Sequence, residues 1–376
     1  DTTNKGGDII IGRDEVTHVL AASTDVSNAK IESNKGFVES SGEQLKFDGV
    51  SVVAKDWLLD PVNVNIDAAS ATTIGANLST TNVTIQTTGT TPGVTSAGTG
   101  NITVSSAITK AAGAGADTTL TLLADNGITV NAAIGAATGA GKLNVVMTAN
   151  GQTDGVAVGS MTAAQRALSQ GLLINNTSIN ANGGNITLTG TSYADNTTYN
   201  ATTLTGNPNL TTGNLSATTA LGKGVQIHNG STLTGNNITI TGTAQNQAGE
   251  SSYGVDFQRY ATQQTLTATG DISITGTLNG AGNGSGIGFY TSGWGAQAAM
   301  ITAGGKFTLR ANNRASTSNA SATLDVTEGM QVKAGGDIVI QAETNNAAAN
   351  AIKLYSGAAT TWGTALQGNT SFRSVD

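Results

Sequence analysis

Two acidic residues have the type and spacing that polysaccharide hydrolysis needs. Asp256 and Asp325 occupy the same position of a recurring G-[V/I]-x-[I/F] phrase, which is degenerate around Asp325. We expect both carboxylates on one outward face, two repeats apart and separated by about 9–10 Å. This distance is near the upper limit for the two carboxyl groups of an inverting glycosidase. Because Gly288 intervenes and no basic or aromatic residues converge there, we interpret both as solvent-exposed residues beside turns.

The sequence carries no other pattern of catalytic or metal-binding residues. His18 and His228 share no motif with an acid or a nucleophile, which argues against a catalytic triad or a zinc site. The chain has no cysteine, so a disulfide framework, a thiolate nucleophile and an iron–sulfur site are excluded. We therefore predict no catalytic residue, no metal and no cofactor, which corresponds to a non-enzymatic protein.

Two aromatic residues are candidates for a binding loop. Tyr290 and Trp294 lie in a Gly-rich stretch, residues 286–295, between two predicted strands. A Trp and a Tyr on a loop can stack on sugars or contact a protein partner. They can equally fold back over the body of the protein, and this alternative stays open. Trp57 differs, because few large aromatic residues lie near it in the sequence, and we predict that it is an interior anchor.

Asn-x-Ser/Thr sequons are frequent, and a chain rich in Asn and Thr produces many of them by chance. Residues 191–216 have few strongly apolar positions, and we predict that they form a long loop outside the body of the fold. Sequons in such a loop would be accessible to a glycosyltransferase. The predicted glycosylation sites are Asn196, Asn200, Asn209 and Asn214.

Composition excludes several classes of partner. The net charge is -7 and only 11% of the residues are charged, so no basic surface is expected for nucleic acid or anionic lipid. No apolar run approaches the roughly 20 residues of a membrane span. The sequence begins with Asp1 rather than Met and carries no signal peptide, from which we expect a processed or excised piece of a longer protein.

A short repeated phrase gives the strongest structural signal. It consists of a turn followed by G-[N/D/K]-[I/V/F]-x-[I/L/V], in which apolar and polar residues alternate. This period of two is typical of a strand with one buried face. Copies of the phrase, the fourth of which lacks the leading Gly, occur at residues 7–11, 100–104, 184–188, 237–240, 270–274, 305–309 and 336–340.

Two further short strands accompany this phrase in the second half of the chain, always in the same order. Equivalent apolar residues recur at intervals of roughly 30 residues, namely Val225, Val255, Ile287, Leu324 and Ile352. Three short strands per unit with Gly/Asn turns are typical of a right-handed parallel β-helix. We predict an all-β solenoid with loop insertions and at most one short helix, for which residues 160–170 are the candidate, with Ser160 as its cap.

Residues 36–66 carry a family resemblance. They contain GFVESSG (36–42), VAKDWLLDP (53–61) and NVNI (63–66). This run resembles a signature of bacterial two-partner-secretion exoproteins, the filamentous-haemagglutinin-like and high-molecular-weight adhesins with their haemopexin-binding relatives. The resemblance implies a β-helix exported through a dedicated outer-membrane transporter to the cell surface or the medium. It also divides the chain, with residues 1–70 resembling the end of the secretion region and residues 71–376 forming an irregular β-helical shaft.

These observations favour a secreted or cell-surface structural adhesin. Its partners would be the two-partner-secretion transporter, a glycan or protein on a host or neighbouring cell, and copies of itself, because uncapped solenoid ends can stack into fibres. One alternative is a haemopexin-binding-like module that captures a ligand through loops 191–216 and 286–300. A polysaccharide-degrading β-helix is a weaker alternative. Threonine ladders would also suit ice binding, although the repeats are too irregular to predict a flat T-x-T array.

Overall fold

Most of this computed structural model consists of short strands, each paired with a strand from the next coil of the chain. The structure describes residues 6–87, 100–113, 115–153, 156–162, 165–166, 168–193, 222–245, 252–259, 262–279, 284–291, 299–313, 323–326, 330–344, 352–354 and 370–375. Within these ranges there are thirty strands, numbered along the chain, and one helix of more than two turns.

Sheet 1 is the longest of three stacked sheets, and each of its strands pairs in parallel with the next. Its twelve strands are, in spatial order, β1 (Asp8–Ile11), β3 (Lys30–Gly42), β5 (Ser51–Pro61), β7 (Asn82–Thr87), β10 (Thr118–Ala124), β13 (Leu143–Ala149), β16 (Ile186–Ser192), β19 (Ile238–Gln245), β22 (Ile272–Asn279), β25 (Phe307–Asn313), β28 (Ile338–Thr344) and β30 (Thr370–Val375).

Sheets 2 and 3 are also parallel and run beside sheet 1. The nine strands of sheet 2 are β6 (Val64–Ile66), β8 (Ile102–Val104), β11 (Ile128–Val130), β14 (Leu172–Asn175), β17 (Lys223–His228), β20 (Ser252–Arg259), β23 (Gly284–Thr291), β26 (Leu324–Val326) and β29 (Ile352–Leu354). The seven strands of sheet 3 are β9 (Ile108–Lys110), β12 (Ile134–Ala136), β15 (Ser178–Asn180), β18 (Thr232–Gly235), β21 (Gln264–Ala268), β24 (Ala299–Ala303) and β27 (Met330–Ala334). A separate pair joins β2 (Ser23–Asp25) to β4 (Gln44–Lys46).

The order of strands confirms the predicted parallel β-helix. From β7 to β29 the chain visits sheet 1, sheet 2 and sheet 3 in turn, so three strands make one coil. The five apolar residues that the sequence made equivalent, from Val225 to Ile352, are successive register partners in sheet 2. One assignment was wrong, because residues 102–104 form β8 of sheet 2 and not a strand of sheet 1.

Apolar ladders fill the interior of the coils. In sheet 1, for example, Ile186, Ile238 and Ile272 are register partners, and all three are completely buried. Phe257 and Phe289 stack on adjacent coils of sheet 2 with ring centroids 4.6 Å apart. Since no single coil can bury its own apolar face, stacking supplies most of the stability of such a fold.

Glycine lets two sheets approach closely at one corner. A Cβ atom at Gly242 in β19 would lie 1.9 Å from the carbonyl oxygen of Gly254 in β20. The same approach recurs one coil earlier, between Gly190 and Gly224. A larger residue at these positions would force the two backbones apart.

The helix lies where the sequence did not predict one. Helix α1 (Ala68–Asn77) begins at Asp67, whose side chain accepts hydrogen bonds from the backbone N–H groups of Ala69 and Ser70. The backbone N–H of Ala111 donates to the carbonyl of Gly75 over 2.9 Å, which brings the helix against the edge of β9. Helix α1 therefore covers the first strand of sheet 3, and this sheet has a cap at that end.

The segment that was predicted to be helical is more irregular. A 3₁₀ turn spans Val158–Ser160, and the two described residues 165 and 166 are helical. Thr162, and not Ser160, caps the helical residues 165 and 166. The Thr162 Oγ1 accepts a hydrogen bond from the Gln165 N–H, and Gln165 Oε1 accepts one from the Thr162 N–H over 2.8 Å. This is a reciprocal capping box, which a Thr-x-x-Gln spacing permits.

The first residues of the predicted loop 191–216 do not form a loop. Thr191 and Ser192 belong to β16, and the N–H of Tyr193 donates to Ser169 Oγ over 2.8 Å. Residues 194–216 lie outside the described residues.

The domain boundary predicted at residue 70 falls inside α1, and sheet 1 continues from β5 to β7 around it. The division itself stays a prediction.

Threonine ladders on sheet 1 are more regular than the sequence suggested. Strands β16, β19 and β22 carry a three-by-three array of outward residues in register, of which eight are Thr and one is Ser: Thr187, Thr189, Thr191, Thr239, Thr241, Thr243, Ser273, Thr275 and Thr277. The expectation that no regular T-x-T array would form was wrong over these three coils. Cross-strand Thr pairs of this kind add to sheet stability.

The motifs that carry the family resemblance form neighbouring strands. The GFVESSG run lies in β3 and the VAKDWLLDP run in β5, with Val38 and Trp57 as register partners. Trp57 is 1% exposed, its ring meets that of Phe47 edge-on at 6.0 Å, and its Nε1 donates to Ser40 Oγ over 3.3 Å. The predicted interior role of Trp57 is confirmed.

Candidate functional site

A group of buried polar side chains lies on sheet 2. It consists of Lys223, Gln226 and His228 of β17 and Asp256 of β20, and we call it the buried polar cluster. Gln226, His228 and Asp256 lie on the face opposite the apolar ladder, and Lys223 begins its strand. Gln226 and Asp256 are register partners that alternate with Val225 and Val255 of the core. Burying charged groups costs free energy unless they are paired and hydrogen-bonded, so this cluster needs an explanation.

The outer face of sheet 2 becomes more buried along the stack. In register, an exposed Asn65 is followed by half-buried Thr103 and Thr129, and then by fully buried Leu173 and Gln226. Both faces of sheet 2 are therefore covered from β14 to β23. The alternation of apolar and polar residues does not reveal this second covered face, because it reports only the face that points to the core.

Asp256 lies at the centre of the buried polar cluster and is 1% exposed. The Gln226 amide Nε2 donates to Asp256 Oδ2 over 3.2 Å and to Gln258 Oε1 over 2.8 Å. Lys223 Nζ lies 3.7 Å from the same Oδ2. Asp256 Oδ1 and Gln226 Oε1 accept no hydrogen bond from the part of the chain that the structure describes. Burial raises the pKa of Asp256, although the Lys223 ammonium and the Gln226 amide oppose this shift.

Lys223 begins strand β17 and reaches along sheet 2 to the carboxylate. Its side chain is 7% exposed, and its Nζ lies 5.9 Å from the centroid of the Tyr253 ring on the next coil. A cation at this distance from a ring face gains a modest electrostatic attraction. Lys223 is thus held between the Tyr253 ring and the Asp256 carboxylate.

His228 ends the same strand and belongs to a ladder of polar side chains. Its Nδ1 lies 2.9 Å from Asn175 Oδ1 on the preceding coil, and Asn175 Nδ2 donates to Asn131 Oδ1 over 2.9 Å. Burial lowers the pKa of His228, and the nearby Lys223 ammonium lowers it further. The imidazole is therefore neutral over a wider range of pH than an exposed histidine.

The register predicted for the two carboxylates is confirmed, and the solvent exposure predicted for them is wrong. Asp256, Gly288 and Asp325 follow one another on consecutive coils, as the sequence indicated. However, Asp256 and Asp325 are 1% and 8% exposed, and neither is a solvent-exposed residue beside a turn. The reason is the second covered face of sheet 2.

The two histidines lie far apart in the fold. His18 is exposed near the first coils, with Nδ1 2.5 Å from Arg13 Nη1. The Arg13 guanidinium also binds Glu39, with Nε 2.5 Å from Oε1 and Nη2 2.7 Å from Oε2, and Ser41 Oγ donates to Glu39 Oε1. This hydrogen-bonded pair raises the pKa of Arg13 and orders the residues next to β1.

The candidate binding loop is only partly described. The backbone of Tyr290 belongs to β23 and pairs with Gln258, so Tyr290 lies in a strand and not in the predicted loop. Its side chain and the whole of Trp294 lie outside the described residues. The four predicted glycosylation sites, Asn196, Asn200, Asn209 and Asn214, also lie outside them, and all six assignments stay predictions.

Lys223 gave no recognisable signal in the sequence. Asp256 was identified through its position in the repeat, and Gln226 stood at the equivalent position one repeat earlier. Polar residues that can hydrogen-bond to each other at that position in two consecutive repeats were the available signal. Lys223 precedes the repeat phrase, and only the structure brings its ammonium beside Asp256.

Within the described ranges, no three His, Asp or Glu side chains are grouped so that they could hold a metal ion. The helices of these ranges are all too short or too polar to cross a membrane. No family model matches the chain, and no curated protein matches it.

Proposed function

We propose that this chain is a non-enzymatic structural adhesin, a β-helical shaft that is secreted or displayed on the outer surface of a bacterium. The observation that carries this proposal is the uninterrupted stack of parallel strands in sheet 1. Twelve strands at about 4.8 Å each give a stack roughly 50 Å long. A rod of this kind places whatever its sides carry at a distance from the surface to which it is attached.

The resemblance of residues 36–66 supports the same proposal, because it implies export through a two-partner-secretion transporter. The chain has no cysteine, so no disulfide bond has to form during its export. The transporter is the proposed export partner, and a glycan or protein on another cell is the proposed target.

The ends of the stack bear on the proposed self-association. Helix α1 covers β9, so the first coils offer the edges of sheets 1 and 2 but not that of sheet 3 for stacking on another copy. An edge covered in this way does not template a further strand. We therefore propose that the isolated shaft is the functional form and that contacts with partners are made by its sides.

Binding of the purified full chain to cultured epithelial cells and to a glycan array tests this proposal. We expect saturable binding to cells or glycans, and no soluble sugar released from the polysaccharides on the array. Two deletions locate the contact. The first removes residues 194–216. The second removes residues 346–350, which lie between β28 and β29 in the sequence, and serves as the control. Loss of binding only in the first would favour a ligand-capturing loop. Sugar release, or absence of binding to both surfaces, would contradict the adhesin proposal.

A further inference from the structure

We propose that Lys223 and Asp256 condense into an intramolecular amide bond that joins two consecutive coils. The two residues lie on the neighbouring strands β17 and β20, and both side chains are almost completely buried. The proposal concerns a covalent modification of the chain, and it does not depend on the adhesin function.

As an ion pair, Lys223 and Asp256 are poorly satisfied. The distance of 3.7 Å between Nζ and Oδ2 exceeds the roughly 2.7–2.9 Å of a charge-assisted hydrogen bond. Oδ1 of the same carboxylate accepts no hydrogen bond from any described residue. A buried ion pair offsets its desolvation cost only when its geometry is good and its remaining atoms are hydrogen-bonded.

Another buried lysine shows a well hydrogen-bonded ammonium. Lys110 Nζ donates to the carbonyl oxygens of Ala116 and Lys142 over 2.6 and 2.7 Å. Lys223 differs from Lys110 because its ammonium faces a carboxyl group at 3.7 Å, a distance too long for a strong hydrogen bond.

The condensation requires the uncharged form of the pair, an amine facing a carboxylic acid, because a protonated amine is not a nucleophile. Burial raises the pKa of Asp256, which favours the acid form of its carboxyl group. A lysine amine can act as a nucleophile, whereas a guanidinium such as that of Arg13 does not.

The chemical step is a balanced condensation. The lone pair of Lys223 Nζ attacks Asp256 Cγ, forming a carbon–nitrogen bond and placing negative charge on Oδ2. The Gln226 Nε2–H, which already donates to Oδ2, stabilises that charge. The Cγ–Oδ1 bond then breaks, and Oδ1 leaves with protons of the acid and the amine as one water molecule. No oxidant or other co-reactant is needed.

Proximity lowers the barrier to such a reaction. Two side chains fixed on adjacent strands react as if at very high concentration. The product removes both buried charges and the unsatisfied Oδ1 atom. It also gives a chain without cysteine a covalent link between coils, which disulfides cannot supply here.

Intact-mass measurement of the purified full chain tests the proposal. We expect a mass lower than that of the sequence by one water, and a branched peptide joining the Lys223 and Asp256 segments after protease digestion. Lys223→Met and Asp256→Ala should each restore the full mass. Lys30→Met removes a lysine that lies 2.5 Å from Glu32 on the exposed surface, and this matched control should keep the deficit.

Each alternative outcome is distinguishable. A full mass in the natural chain, or a deficit that persists in Lys223→Met, would overturn the amide bond. A succinimide at another Asp also loses one water, but it gives no branched peptide and would equally overturn the proposal. If the variants do not fold, the branched peptide from the natural chain decides the question alone.

Discussion

At the scale of single residues, the best-defined anchor is Trp57. It is buried between Phe47 and Ser40 in the strand that carries the family resemblance. We predict that Trp57→Ala lowers the free energy of unfolding by about 3–5 kcal/mol, because it leaves a large cavity in the first coils. Urea denaturation followed by circular dichroism measures this change. Val16→Ala, at a site 85% exposed, should stay within about 0.5 kcal/mol of the natural chain.

His228 makes the stability of the buried polar cluster depend on pH. Burial is the main cause that lowers the pKa of His228 in the folded state below the ordinary value of 6.5, and it acts whether Lys223 carries a free ammonium or an amide bond. As the pH falls below 6.5, the unfolded chain takes up a proton that the folded chain does not, so stability is complete above this pH and is lost below it. The groups around the imidazole include Lys223 and the neutral Asn175.

Denaturation midpoints at pH 8 and pH 5 test this dependence. We predict that His228→Gln loses less stability than the natural chain on going from pH 8 to pH 5, because glutamine takes up no proton. His18→Gln, far from the cluster, is the matched control and should behave as the natural chain does. Equal pH dependence in the two variants would contradict the role assigned to His228.

At the scale of elements, the corner between sheets 1 and 2 depends on glycine. Gly242→Ala would place a methyl group 1.9 Å from the Gly254 carbonyl oxygen. We expect a loss of about 1–3 kcal/mol, which is typical of overpacking, measured as a shift of the urea midpoint. At Gly159 an added Cβ meets nothing within 4 Å, so Gly159→Ala should leave the midpoint almost unchanged. Similar midpoints for both variants would show that the corner is not closely packed.

Helix α1 supports the start of strand β5 through the side chain of Asn77. Asn77 Oδ1 accepts from the Val52 N–H over 2.7 Å, and Asn77 Nδ2 donates to the carbonyl oxygen of Val50 over 2.9 Å. We predict that Asn77→Ala costs about 1–3 kcal/mol, since buried backbone groups lose their partners. Hydrogen exchange should show faster exchange of the Val52 amide. Thr72→Ala, on the exposed side of α1, should leave that amide protected.

The sequence could predict the ladders but not the helix, for physical reasons. Alternation within five residues fixes which face of a strand is buried, and it does so again in every coil. Helix α1 contains Thr72, Thr73 and Gly75, residue types with low helix propensity that also fill the strands and turns of this chain. Only Asp67, at its cap, gave a local signal, and the edge of β9 that the helix covers is distant in sequence.

At the scale of the whole molecule, the sequence predicts the position of the candidate site but not its surroundings. The register of Asp256 and Asp325 follows from the repeat, because equivalent residues stack in a solenoid. Their burial, and the approach of Lys223, depend on what covers the outer face of sheet 2, and no local pattern reports this. The sequence therefore predicted where Asp256 lies along the stack and not the environment of its carboxyl group.

The stacked coils also determine how the molecule presents itself to partners. The sides of a solenoid form a long surface, and its two ends are small in comparison. With β9 covered by α1, the sides are the larger and more accessible surface. This is the physical basis for proposing an isolated shaft.

Negative-stain electron microscopy of the purified chain tests whether the coils form one continuous, isolated shaft. We expect separate, uniform rods whose stacked strands span roughly 50 Å or more. Round particles would contradict the continuous solenoid. Long fibres would contradict the isolated shaft, and would identify the ends of the stack as the functional surfaces of the molecule.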